Sequence, residues 1–145
     1  MKFDVDGLVV EERPTGRDFY GEYVWPGALV MCDYLKRHPE IVRGKRVLEL
    51  GSGTGLAGLY AAKLGAKHVT LTDFVDWSIE GIKANIRANK LDGVAAPRWF
   101  VWGTDLHETW DVIIGCEILH QNMDKTGLVH SIRTHLKPGG RCVIL

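Results

Sequence analysis

Short apolar runs alternate along the chain with stretches in which apolar residues return every third or fourth position, and this alternation lays out the elements. Residues 1–24 show neither pattern and read as an irregular N-terminal segment. Pro26 then stands in the first turn of a helix whose apolar positions are Ala28, Met31, Cys32 and Leu35. Pro39 ends that helix by disfavouring helical backbone at His38. Gly44 breaks the chain before a strand at 46–50, which runs straight into Gly51-Ser52-Gly53-Thr54-Gly55. Leu56, Tyr60 and Leu64 follow at helical spacing, and Gly65 sits where a left-handed C-cap belongs.

The unit then repeats. Residues 68–73 read as a second strand, and Asp76 is placed to cap a helix with Ile79, Ile82 and Ile86 on one face. A third strand is predicted over 98–102. A fourth, over 111–116, is almost unbroken in its apolar character, as a parallel strand covered on both faces should be, so it belongs mid-sheet. Leu128, Ile132 and Leu136 mark a last helix. Lys137-Pro138-Gly139-Gly140 has Pro and Gly placed for a type II turn, and 141–145 makes a fifth strand. Strands alternating with helices predict an α/β fold, a Rossmann-like doubly wound parallel sheet with right-handed crossovers.

A chain of 145 residues that is 46% hydrophobic and 25% charged fits one globular domain, 1–145, and excludes disordered and fibrous classes. Its 18 basic and 18 acidic residues balance, so it has no broad electrostatic footprint for a nucleic-acid backbone or an anionic membrane. The three cysteines are far apart and never in a C-x-x-C pair, which predicts neither a disulfide framework nor a zinc site. The histidines lack metal-ligand spacing, so no metal is expected. Asp4 and Asp6 fall where a signal peptide needs an apolar run, and no stretch approaches a membrane span. A reducing compartment, cytosol or nucleus, is the expected location.

The candidate chemistry lies where the first strand meets its helix. Glycines there permit a sharp reversal and close approach of a ligand to the backbone, while the helix N-terminus presents unpaired N–H groups. The dinucleotide fingerprint would need a small residue at 56; Leu56 stands there, and the third glycine comes one place early, at Gly55. A nicotinamide-dependent oxidoreductase is therefore the weakest alternative. Asp73 closes the second strand about twenty residues on, where a parallel sheet places a carboxylate for two ribose hydroxyls.

Glu49-Leu50-Gly51-Ser52-Gly53-Thr54-Gly55 followed by Thr72-Asp73 resembles motif I and the next acidic motif of class I, seven-strand S-adenosylmethionine-dependent methyltransferases. Tyr23-Val24-Trp25-Pro26-Gly27-Ala28, Trp102-Gly103 and the stretch from Trp110 to Glu117 extend the likeness to the non-SET protein methyltransferase group, whose members methylate lysine mostly, and arginine or histidine in some branches. The resemblance spans roughly positions 20 to 145. It implies S-adenosylmethionine as cofactor, leaving as S-adenosylhomocysteine, held by Trp25, Glu49, Gly51, Ser52, Gly53, Gly55, Asp73, Trp102 and Cys116. It also implies a protein as acceptor.

Position 117 carries Glu where the group commonly has Asp, and His120 stands in place of the aromatic that ends its D-x-x-Y pattern. Glu117 is the expected holder of the acceptor nitrogen and His120 the candidate proton acceptor. Chemistry alone would put Trp25 and Trp102 in the core; the resemblance puts both beside the cofactor. Trp77, Trp99 and Trp110 are expected in the core. A catalytically silent cofactor-binding module and a small-molecule or RNA methyltransferase are the other readings. The family usually continues with a helix and an antiparallel strand pair after the fifth strand; without them, 141–145 is expected to be an apolar sheet edge that favours self-association.

Overall fold

The computed structural model describes residues 1–16, 20–120 and 123–145. In chain order its strands and α-helices are β1 (Lys2–Val5), β2 (Leu8–Glu11), α1 (Pro26–Arg37), β3 (Arg46–Leu50), α2 (Leu56–Lys63), β4 (His68–Asp73), α3 (Asp76–Ala88), β5 (Ala95–Trp99), β6 (Trp110–Gly115), α4 (Lys125–His135) and β7 (Leu136–Ile144). Five of the strands form one parallel sheet in the order β5-β4-β3-β6-β7. The predicted alternation is found, and the almost unbroken apolar strand β6 lies inside the sheet as expected. Successive residues of the central strands turn to opposite faces, and both faces are covered. Val47, Val112 and Ile114 pack with Leu56 and Leu59 of α2 and Ile82 of α3. Leu48, Leu50 and Ile113 pack on the other side with Phe100, Trp110 and Leu128.

The N-terminal stretch is not irregular throughout. Residues 2–11 form an antiparallel hairpin, β1 with β2, pairing Val5 with Leu8. Its signal is the dipeptide Asp6-Gly7. Both residues have positive φ, 54° and 81° respectively, as a type I′ hairpin turn demands. Leu8 and Val10 alternate into the core while Val9 and Glu11 do not.

The third parallel strand runs over Ala95–Trp99, three residues ahead of the predicted 98–102. Val94 is fixed by the chain turn after α3, where Val69 donates its N–H to the Val94 carbonyl at 2.9 Å, so that Ala95 comes level with Val69. Pro97 argues against a central strand; at this edge position the missing donor is tolerated. Trp102 consequently belongs to the loop beyond the strand.

Asp76 is the first residue of α3 rather than its cap; Val75 holds the cap position, and its N–H is taken by Asp73 at 3.1 Å. Helix α4 stops at His135, because Leu136 already pairs with Trp110 as the first residue of β7. The next pair is Val112 with Arg141, so residues 137–140 bow out of the sheet opposite Asp111 alone. Gly139, at φ 76°, supplies the left-handed position of the predicted turn. Of the three tryptophans assigned to the core, Trp110 is fully buried and Trp77 half-buried. Trp99 is 54% exposed, its indole N–H donating to the Phe74 carbonyl at 2.8 Å.

Candidate active site

Strand β3 delivers the glycine loop, residues 51–55, to the carboxyl edge of the sheet. Gly51, Gly53 and Gly55 all lie at positive φ, which an L side chain adopts only under strain. The loop is also closely packed: a Cβ at Gly51 would come 2.9 Å from Ile118 Cγ2, and one at Gly55 would come 3.0 Å from Leu71 Cδ2. The loop is tied across the sheet by Ser52, whose N–H donates to the Thr72 carbonyl at 2.8 Å. Gly55 is the N-cap of α2 and offers no side chain to the first N–H groups of that helix. This is the donor-rich corner that the sequence predicted.

Asp73 stands at the end of β4, facing the loop as expected. Its Oδ2 accepts the Gly53 N–H at 2.9 Å, and its Oδ1 accepts that of Val75. Burial raises its pKa above the ordinary carboxylate value, while the N–H groups of Gly53, Val75 and Phe74 pull it back. The carboxylate is thus already a latch for the glycine loop. Glu49 lies deeper, only 3% exposed, with its carboxyl under α2, where a Cβ on Gly58 would fall 2.5 Å from Oε2. Burial pushes its pKa up to about 8, partly countered by Ser52 and the Gly58 N–H. Cys116 is half-buried on the same side, and burial, followed by the nearby Glu49, raises its thiol pKa. Glu49 and Cys116 therefore back the loop from within, whereas Asp73 borders its mouth.

Glu117 follows β6 at φ 52°, a strained position for a side chain with a Cβ. The strain aims its carboxylate at α1: Oε1 accepts the Gly27 N–H at 2.8 Å, and a Cβ on Gly27 would meet Glu117 Cγ at 2.7 Å. Pro26 at the helix start leaves the Gly27 N–H as a donor without a helical partner, and the carboxylate complements the positive end of the helix dipole. His120 is exposed on the rim. Its ring lies 5.6 Å from that of Tyr20, which lies 5.8 Å from Trp25. Trp25 donates its indole N–H to the Tyr20 carbonyl at 2.6 Å. On the far side Trp102 approaches Gly51, and its loop is held by α4, Gly103 donating to Ser131 Oγ at 2.9 Å and Leu106 to His135 Nε2 at 2.9 Å.

The sequence-predicted residues therefore gather around one edge, with Trp25 and His120 on one side and Asp73 and Trp102 on others. Three contributors were not predicted. Tyr20 joins Trp25 to His120. Gly21 lies against the loop, its Cα and carbonyl oxygen each 3.3 Å from where a Gly53 Cβ would be. Ile118 packs on Gly51. Tyr20 and Gly21 stand outside any periodic pattern, and only the glycine between two tyrosines, Tyr20-Gly21-Glu22-Tyr23, signals a close approach.

A family model described as lysine methyltransferase matches residues 2–145. The chain belongs to the lysine methyltransferase family. Among relatives carrying that chemistry in their names, it is 35% identical over 129 residues to protein N-lysine methyltransferase METTL21A of Danio rerio, covering 84% of this chain and 58% of the relative. It is 36% identical over 121 residues to EEF1A lysine methyltransferase 3 of Mus musculus, covering 81% and 51%. The chain thus spans about half the length of the curated lysine methyltransferases it matches. A T. thermophilus 16S rRNA methyltransferase solved with AdoMet and guanosine shares 24% identity and a TM-score of 0.76, over 97% of this chain and 39% of that one. At that identity the likeness is one of fold, the Rossmann-like parallel sheet described above.

Proposed function

We propose that this chain binds S-adenosylmethionine at the glycine loop and transfers its methyl group to a nitrogen of a protein, the lysine side chain first. One observation carries the reading: Asp73, at the end of β4, meets the glycine loop across 2.9 Å, so a carboxylate and a set of backbone donors share one edge of the sheet. The residues suit such a cofactor. A carboxylate has about four acceptor sites, so Asp73 keeps capacity for ribose hydroxyls beyond the N–H groups it accepts. Asp73 is 7% exposed and Gly21 lies beside it, a Cβ there falling 3.8 Å from Oδ2, so ribose entry requires Gly21 to yield. Trp102, Gly51, Ser52 and Gly55 border the remaining length of the site, with Glu49 and Cys116 behind them and Trp25 at the rim.

S-adenosylmethionine, when bound, supplies a methyl carbon already activated by its sulfonium. The chain's own contribution is alignment, exclusion of water and disposal of one proton. A lysine ammonium has no lone pair, so the amine must be deprotonated before it can accept a methyl group. Glu117 keeps acceptor capacity to orient that amine while its Oε1 stays on Gly27, and His120 at the rim receives the proton or passes it to water. Tyr20 and Trp25 give the lysine methylenes an aromatic wall. The balanced charge of the chain favours a protein over a nucleic acid as partner. The three unpaired cysteines favour the cytosol or nucleus.

A second reading, a module that binds the cofactor and transfers nothing, has one observation in its favour: Glu117 is committed to capping α1. Incubation with methyl-labelled cofactor and a matched lysate, followed by identification of the labelled residue, separates the two. Label on protein lysine supports transfer; cofactor binding without label supports the silent module, and label in RNA overturns the acceptor class.

A further inference from the structure

The edge of β2 that faces away from β1 carries exposed-type backbone groups, and two asparagines of α3 cover them in place of a third strand. Asn89 accepts the Val9 N–H on Oδ1 at 2.9 Å and donates Nδ2 to the Val9 carbonyl at 2.7 Å. Asn85 accepts the Glu11 N–H on Oδ1 at 3.0 Å and donates Nδ2 to the Glu11 carbonyl at 3.3 Å. The spacing works because four residues of helix rise by roughly 6 Å, while two residues of strand advance by roughly 6.7 Å. Side chains at i and i+4 on α3 therefore match alternate residues of β2. At its other end the hairpin is held by Asp6, which accepts from Tyr60 Oη at 2.5 Å and pairs with Lys36 at 2.9 Å.

Asn85 does one thing that Asn89 does not. Its Nδ2 also donates to the carbonyl of Thr54, in the glycine loop, at 3.0 Å, and the side chain is 2% exposed. One buried carboxamide thus joins the hairpin to the loop. From the geometry we infer that Asn85 is a positioning residue for the cofactor: it fixes the Thr54 peptide, and with it the Gly53–Gly55 turn, against an N-terminal hairpin that acts as an outside brace. The inference rests on the reading of the loop as the S-adenosylmethionine site, but its structural half holds without any ligand. The hairpin also sets the path of the rim segment, since Glu12, next after β2, accepts the Val24 N–H at 2.9 Å just ahead of Trp25.

The test pairs Asn85→Asp with Asn89→Asp. Each aspartate keeps the acceptor for β2 and replaces the donor by a repelling oxygen, but only the first touches Thr54. Calorimetry with S-adenosylhomocysteine on the full chain should show affinity lowered tenfold or more for Asn85→Asp and less than threefold for Asn89→Asp. Amide exchange without ligand should quicken over β2 in both variants, and over the glycine loop in Asn85→Asp alone. Equal affinity losses in the two variants, or unchanged loop exchange in a folded Asn85→Asp protein, would overturn the role. If the wild-type chain gives no heat with S-adenosylhomocysteine, the cofactor reading fails, and the exchange data still decide whether Asn85 braces the loop. Should Asn85→Asp fail to fold, Asn85→Ala paired with Asn89→Ala removes the carboxamide from each position with no added charge and is read by the same criteria.

Discussion

Buried Glu49 beside the glycine loop and the ion-paired carboxylates at the opposite, amino end of the sheet are shifted by their surroundings in opposite directions. Glu49, buried under α2, is raised from 4.5 to about 8, so between these values the folded chain holds a proton that the unfolded chain releases. The stability it contributes is whole below its unfolded value and is lost as pH rises toward 8. The lowered carboxylates, Asp111 held by the Arg46 N–H and Lys137 and Glu108 held by Arg46 and Arg98, contribute stability above their unfolded values, which is lost only in stronger acid. The two windows do not overlap. Thermal melts of the wild type from pH 5 to 8 should therefore show a falling Tm, and Glu49→Gln should flatten that fall; an equally steep decline in the variant would free Glu49 of it. Glu117 offers a separate test. Glu117→Gln keeps an oxygen for the Gly27 N–H and should preserve folding and cofactor affinity while depressing methyl transfer. Glu117→Ala also removes the cap, at about 0.5–2 kcal/mol of stability. Loss of transfer in Ala but not in Gln would make Glu117 a helix cap and nothing more.

Among the elements, α4 lies far from the glycine loop in sequence yet governs its far wall. Its Ser131 is fully buried and accepts the Gly103 N–H, one residue beyond Trp102, while donating to the Gly127 carbonyl at 2.8 Å. Ser131→Ala should cost about 1–3 kcal/mol if the Gly103 donor is left unpaired, and it should weaken S-adenosylhomocysteine binding by releasing Trp102; an unchanged dissociation constant would show that the Trp102 loop holds itself. Periodicity found the elements that carry a one-sided or continuous apolar pattern, β3, β4, β6 and all four α-helices. It missed β1 and β2 because four-residue strands offer too few positions to count, although Asp6-Gly7 marked their turn. It set β5 three residues late because the aromatic residues from Trp99 onward look like strand formers, whereas the fold places Trp102 in a loop. The placement of the glycines and Asp73 was legible because it follows from backbone geometry at a strand end. The capping of α1 by Glu117 was not, since it joins residues 90 apart.

At the scale of the whole molecule, β7 has β6 on one side and no strand on the other among the described residues. Cys142, Val143 and Ile144 are half-buried along it, so the outer edge offers backbone donors and acceptors beside apolar side chains. The polypeptide of these 145 residues should self-associate there by strand addition, and sedimentation velocity over a wide concentration range should show mass rising with concentration. A monodisperse monomer at the highest concentrations would show that this edge is not adhesive. The same strand has a second property, at its opposite end. The bow between Leu136 and Arg141 leaves the sheet at the amino end of β6, a full strand length from the glycine loop, and Pro138 and Gly139 at its tip are exposed, with nothing within 4 Å of a Cβ at Gly139. Position 138 is accordingly a handle: a fluorophore or a surface tether carried on a cysteine introduced by Pro138→Cys would leave the opposite, carboxyl edge of the sheet open to the solution, so that ligands could be watched arriving at the immobilised chain.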